Sequence, residues 1–352
     1  MSESRDADIV IVGAGIIGLL TAWELSKAGH GSILVLDKGE PGREASWAAA
    51  GILSPLGPWR YPDSVQALAK ESQTMFPALC NELQSASGID PEYRQSGLLV
   101  LLDDGEHDQA QAWLGRNHVA HEFLSTADTQ TRYTGLATDC RSLLMPEVAQ
   151  VRTPRLLRAL IRGLEKRGVQ VRPHTAVRKL ALGEAAINGV ETAAGIIASE
   201  TVILAAGAWT PELLPRGTWR PDIRPIKGQM LLYRPEDTAL LQNMVLQGRR
   251  YLVSRSDGRI LAGSTMEDDG FNKSPTLEVK QELRAFAEGL LPALAECELE
   301  AHWTGLRPGS PDGVPTVGAH PGIEGLWLNC GHYRNGIALA PATVGRLMTQ
   351  LV

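Results

Sequence analysis

The sequence predicts a mixed α/β fold of two interleaved lobes, and three observations predict it. A short apolar strand, a glycine turn, a helix and a second strand follow one another between Asp8 and Asp37. Helices and buried strands of the same α/β kind recur in the middle and at the end of the chain, with strand-rich stretches between them. The 352 residues exceed the size at which one hydrophobic core usually keeps growing.

In chain order, residues 8–12 read as a buried strand, 16–28 as an apolar-periodic helix and 32–36 as a second strand. Parallel strands in such a βαβ unit require a right-handed crossover. A helix is expected over 64–85 and a strand over 97–102. The segment TPRLLRALIRGLEK at 153–166 is a clear amphipathic helix, and a strand at 169–172 follows it directly. Short alternating runs lead to a buried strand at 201–204. Beyond Gly228, strands at 230–233, 251–254 and 259–262 precede helices near 277–290 and 337–351. Pro and Gly clusters fall at turns, and no internal repeat or linker interrupts the pattern.

Hydrophobic residues make up 43% and charged residues 21%, an ordinary globular balance. The formal net charge of −6 argues against nucleic acid as the main partner, while leaving room for local cations to hold a small anion. Cys80, Cys140, Cys297 and Cys330 lie far apart without metal-ligand spacing, so buried free thiols and no metal are expected. The opening MSESRDAD is polar, and the apolar run after it is broken by glycines, which is not a signal peptide. No run of about 20 apolar residues is present to span a bilayer. The expected location is the cytoplasm, with no membrane partner.

Gly13-Ala14-Gly15-Ile16-Ile17-Gly18 fits GxGxxG after a strand and at the opening of a helix. Gly13 permits the tight turn, Gly15 lets backbone approach a pyrophosphate, and Gly18 allows close helix-to-strand packing. Asp37, at the end of the second strand, is placed to accept from an adenosine ribose. An acidic strand end disfavours a 2′-phosphate but does not separate FAD from NAD.

The stretch from Gly42 to Gly51 (GREASWAAAG) bears on that choice. Its small residues, Ala45, Ser46, Ala50 and Gly51 among them, would let backbone amides reach a bulky planar ring; the plain alternative is an alanine-rich helix. A second strand edge, TVILAAGAWT at 201–210, stops at a small-residue turn that could pass under a cofactor or simply lead into a helix.

Across the whole chain the sequence resembles the D-amino-acid oxidase and sarcosine oxidase superfamily of FAD enzymes, nearest its bacterial glycine oxidase branch of thiamine biosynthesis. The resemblance is most specific at residues 303–313 (WTGLRPGSPDG) and 331–343 (GHYRNGIALAPAT). It implies a Rossmann-like FAD-binding domain, from segments 1–86, 147–222 and 308–352, interleaved with a substrate domain from 87–146 and 223–307. The substrate domain is then expected to rest on a large, mostly antiparallel sheet. The implied chemistry is oxidative deamination of glycine or a related small amine such as sarcosine, D-alanine or D-proline. Hydride would pass to FAD and oxygen would yield hydrogen peroxide, with the imine supplied to thiazole synthesis. The alternative is a D-amino-acid or proline dehydrogenase of the same fold that uses an acceptor other than oxygen.

By the same resemblance Arg307 pairs with the substrate carboxylate, helped by the Tyr251 hydroxyl. Arg334 lies beside the substrate and Met266 lines the small cavity. A guanidinium suits that task because its parallel donors match a carboxylate in two-point contact. The implied cofactor site adds Lys38, Ile52, Val177, Gly207 and Trp209. The run His332, Tyr333, Arg334, Asn335, Gly336, Ile337 and Ala338 forms a further wall ending at a helix N-terminus. Gly305 stands where covalently flavinylated relatives carry a cysteine, so FAD is expected to be non-covalent. Arg249 and Arg250 are more basic than the family pattern, which leaves the entry side open. A homo-oligomer is also implied.

Overall fold

The structure, a computed structural model, describes residues 6–103 and 105–351. Residues 1–5, 104 and 352 of the expected segments lie outside the described residues.

The first strand, Ile9–Val12, is apolar and buried at every position because it sits inside a sheet covered on both faces. That six-stranded sheet runs in the order Thr316–Ala319, Leu326–Cys330, Thr201–Leu204, Ile9–Val12, Ile33–Leu36, Gln170–Arg172. Only the Thr316–Ala319 edge is antiparallel to its neighbour. Period-two alternation sorts the side chains. Ile11, Val35 and Ile203 pack beneath four helices, Ile16–Ala28, Asp63–Ser87, Thr153–Lys166 and Gly336–Leu351. Val10, Leu34 and Val202 turn the other way, against a three-stranded antiparallel sheet that begins at Lys179–Leu182.

Helix Ile16–Ala28 is apolar nearly all round, as befits an element wedged between sheet and helix. Its Trp23 meets Gly163 of Thr153–Lys166, where a methyl group would come within 2.8 Å of the indole. The Thr153–Lys166 helix buries Leu156, Leu157, Leu160 and Leu164 and exposes Arg158, Arg162 and Glu165, the amphipathic face expected of it.

A second sheet has eight strands, from Glu298–Gly309 through Arg224–Arg234, Ile260–Gly263, Arg250–Ser254, Met244–Gln247, Leu98–Leu101 and Ser142–Met145 to Glu122–Leu124. It is antiparallel except where Met244–Gln247 lies beside Leu98–Leu101. Leu99 and Leu101 meet helix Leu277–Leu290 through Leu283 and Ala287, whereas Leu98 and Val100 share the opposite face with Met230 and Tyr251.

Two findings depart from the sequence reading. The strand expected at 230–233 extends over Arg224–Arg234, and a twelve-residue strand, Glu298–Gly309, pairs with it from end to end apart from a bulge at Glu300. Pro225, Gly228, Gly305, Pro308 and Gly309 punctuate these strands and disguise them as loops. Glu298–Gly309 is an edge strand, where a proline costs little. The turns after Val12, Leu36 and Leu204 open at the carboxyl ends of the parallel strands, the usual place for a ligand in such a sheet.

Candidate functional site

Gly13 has φ 106°, and a methyl group on it would run into the carbonyl of Ala205. Only glycine fits there. A methyl group on Gly18 would collide with the carbonyl of Gly13, so this third glycine lies beneath the turn and lets the helix close on the strand. Asp37 ties the turn down: Oδ2 accepts from the Ala14 amide at 2.8 Å and Oδ1 from the Gly39 amide at 2.9 Å. Burial pushes its pKa up, opposed by those two amides. Each oxygen keeps a lone pair for a ribose hydroxyl. The Ser46 hydroxyl accepts from the Ile16 amide at 2.9 Å, joining the alanine-rich segment to the helix N-terminus.

From this turn a cavity of about 310 Å³ runs between the two large sheets to Tyr251, Arg307 and Arg334. Gly13, Gly15, Ile16, Ile17, Asp37 and Lys38 line one end, and Ala45, Ser46, Ala50, Gly51 and Ile52 one side. Val177, Gly207 and Trp209 lie in the wall, as does every residue from His332 to Ala338. The ammonium of Lys38 sits 3.1 Å from the centroid of the Trp209 ring, which stacks on Phe271 at 5.4 Å. Gly18 and Met266 are the two expected residues outside the lining. Met266 stands behind it, its sulfur 3.3 Å from the Tyr333 hydroxyl and 3.6 Å from Arg334 Nη1.

The alanine-rich segment makes only one helical turn, Ala45–Ala48, before the chain extends. Gly51 then takes φ 75°, with the Val151 carbonyl where a side chain would be.

At the far end Arg307 is half-buried. Its Nη1 donates to the Thr265 carbonyl at 2.9 Å and its Nη2 to the Ser264 hydroxyl at 2.8 Å. Tyr251 stands beside it, with its hydroxyl 3.4 Å from Met230 Sδ. Arg334 donates to the Arg249 carbonyl at 3.0 Å. Neither guanidinium pairs with a carboxylate among the described residues. Burial, and then Arg334 nearby, push the Arg307 pKa down. Two cations facing one partly dry cavity repel, and an incoming carboxylate relieves both the desolvation and the repulsion. Arg250 begins its strand and pairs with Glu282, while the Arg249 side chain is exposed.

His332 is buried and its Nε2 lies 3.0 Å from Thr343 Oγ1. Burial lowers its pKa to about 3, so the ring is neutral and serves to position the wall. Cys330, also in the wall, is pushed up to about 12 by burial.

A flavin nucleotide fits these residues. Gly13 and Gly51 in the cradle have no room for side chains, and the buried side-chain amide of Asn329 finds no partner among the described residues for either polar atom. Asn335 Nδ2 is likewise without a partner among the described residues. Both asparagines line the cavity, which therefore offers polar contacts that the protein itself leaves unmade.

The family profile described as FAD dependent oxidoreductase (DAO) matches residues 8–351. The chain belongs to this family. FAD is accordingly its cofactor. A glycine oxidase of Pseudomonas aeruginosa is 46% identical over 98% of this chain and 94% of its own length. A bifunctional protein ThiO/ThiG of Trichormus variabilis is 34% identical over 98% of this chain and 52% of its own length. The crystal structure of a glycine oxidase from Geobacillus kaustophilus superposes with a TM-score of 0.93 at 29% identity, covering 99% of this chain and 95% of that one.

Sequence reasoning missed the glycine pair beneath the clamp. Gly228 and Gly305 face each other across two strands, and the first leaves room for the Arg307 guanidinium while the second admits Ala48. Isolated glycines within a strand are the signal for such close approach, but it is readable only once both strands are known.

Proposed function

We propose that this FAD enzyme oxidises the C–N bond of glycine or a close relative, with oxygen as acceptor. The carrying observation is the half-buried Arg307, aimed into the cavity and without a carboxylate partner among the described residues. Its bonds to Thr265 and Ser264 use two of the five guanidinium N–H donors, and the remaining donors suit a small carboxylate in two-point contact. Tyr251 adds a hydroxyl beside that carboxylate, and Arg334 closes the side toward Arg249. The small cavity excludes water and fixes the substrate so that its Cα–H is presented in one direction.

Held along the glycine turn and the His332–Ala338 wall, FAD would supply the two-electron acceptor for the Cα hydride, with oxygen as the final acceptor and hydrogen peroxide as the product. The nitrogen loses a proton as the C=N bond forms, and water then releases the 2-oxo acid and ammonia. No residue need act as nucleophile. His332, neutral and held by Thr343, keeps the wall in place.

The division into an FAD-binding domain and a substrate domain, at the boundaries expected from sequence, is part of this proposal. The two large sheets flanking the cavity support it. Supply of the imine to thiazole formation is a further part, supported by the likeness to the bifunctional protein ThiO/ThiG. No helix among the described residues is long and apolar enough to cross a membrane. A homo-oligomer in the cytoplasm, with FAD bound non-covalently, completes the reading.

Anaerobic titration with glycine, sarcosine, D-alanine and D-proline tests it. Bleaching of the yellow flavin by one of them, with peroxide formed once air is admitted, is the expected result. A flavin unchanged by all four overturns the substrate class; bleaching without peroxide overturns the oxygen acceptor.

A further inference from the structure

Every backbone carbonyl from Ala48 to Gly51 is taken by a donor on another element. Trp303 Nε1 donates to Ala48 at 3.3 Å, and Thr153 Oγ1 to Ala49 at 2.9 Å. Arg255 Nη2 donates to Ala50 at 2.7 Å, and the Val151 amide to Gly51 at 2.9 Å. A trans peptide points its N–H opposite to its C=O. With the carbonyls fastened on one side, the amides of Ala50, Gly51 and Ile52 are left without a protein acceptor among the described residues, and these residues line the cavity.

Arg255 differs from the other three donors in carrying a charge. It is 6% exposed, and its Nη1 goes to Gln150 Oε1 at 2.8 Å and the Val151 carbonyl at 3.1 Å. Glu92 and Asp257 lie within electrostatic reach, but both are bonded to Arg152. Burial and Arg152 together lower the Arg255 pKa to about 10, so it stays a cation at neutral pH. Burying a guanidinium is costly, and here it goes to a peptide carbonyl instead of a carboxylate.

We propose that Arg255 is a positioning residue for the flavin, acting through the Ala50–Gly51 peptide. The cation polarises the Ala50 carbonyl, and the amide on the other end of the same peptide, that of Gly51, becomes a stronger donor toward the cavity. A stronger donor stabilises the electron-rich, reduced ring more than the oxidised one. The inference rests on the proposed placement of FAD in this cavity.

The test uses the FAD-loaded protein and sulfite, an anion that adds to oxidised flavins in proportion to their electron deficiency. Arg255→Met is expected to weaken sulfite binding by about tenfold or more, and Arg255→Lys by less, because the charge remains. Thr153→Val, which frees the neighbouring Ala49 carbonyl without touching a charge, is expected to leave the sulfite affinity within about twofold. Equal sulfite affinities for wild type and Arg255→Met overturn the proposal, as does a loss in Thr153→Val matching that in Arg255→Met. Should Arg255→Met fail to fold, Arg255→Gln, neutral but still able to donate to the Ala50 carbonyl, decides against the same wild-type value: unchanged affinity overturns the proposal. A wild-type flavin that Gly13→Val fails to displace overturns the cavity placement instead.

Discussion

The guanidinium of Arg307 lies directly over Gly228, so that a methyl group there would collide with Nη1, Nη2 and Cζ. Gly228 sits two register positions from the residue paired with Arg307, Ile226, and the arginine folds back along the strand into the space it leaves. Gly228→Ala should therefore displace the clamp while leaving the glycine turn untouched. KM for the amino acid is expected to rise about tenfold or more, with FAD content unchanged. Steady-state kinetics beside the flavin-to-protein absorbance ratio checks it.

Arg307→Lys keeps the charge but loses the planar fork. KM should rise about 10- to 100-fold while the protein stays yellow. An unaltered KM would assign the carboxylate to another residue.

Gly18 faces the Gly13 carbonyl and the Ile11 side chain, so its replacement probes packing beneath the phosphate turn. Gly18→Ala pushes the helix off the Gly13 carbonyl and should cost about 1–3 kcal/mol, with FAD lost in parallel. Thermal unfolding of the holoprotein and FAD fluorescence in the filtrate measure both effects.

His332 gives a pH signature. Its folded pKa, about 3, lies below the ordinary 6.5, so between those values the unfolded chain binds a proton that the folded chain refuses. Stability should fall as pH drops below about 6.5, by about 1.4 kcal/mol per pH unit from this residue, until about 3. Urea unfolding of wild type and His332→Gln at pH 7, 6 and 5 isolates the slope. The variant's stability should decline less steeply.

Lys227 is 1% exposed and bonded to Asp269 at 2.6 Å and Glu267 at 3.2 Å. Thr265, whose carbonyl holds Arg307, also donates its hydroxyl to Glu267. Lys227→Met is expected to cost about 2 kcal/mol by leaving Glu267 without its buried cation, although Gln229 Nε2 still donates to both carboxylate oxygens, and to raise KM along with it. A urea midpoint equal to that of wild type would contradict the estimate.

The sequence by itself determined the elements whose signal is local. The glycine turn, the helices Ile16–Ala28, Thr153–Lys166 and Leu277–Leu290, and the strand Thr201–Leu204 stand at the bounds their periodicity predicts. Each is set by contacts every second, third or fourth residue, which any window along the chain contains. The tertiary structure alone decided how distant strands meet. Pairing of Arg224–Arg234 with Glu298–Gly309 joins residues about 60 to 85 positions apart, with one register shift at Leu232/Tyr233, and it hides behind prolines and glycines that look like turns. The space over Gly228 follows from that pairing, and the fastening of four successive carbonyls and the side-chain amide of Asn329, without a partner among the described residues, depend equally on long-range packing. Cross-strand register and burial are properties of the packed chain, so no single stretch of it carries them.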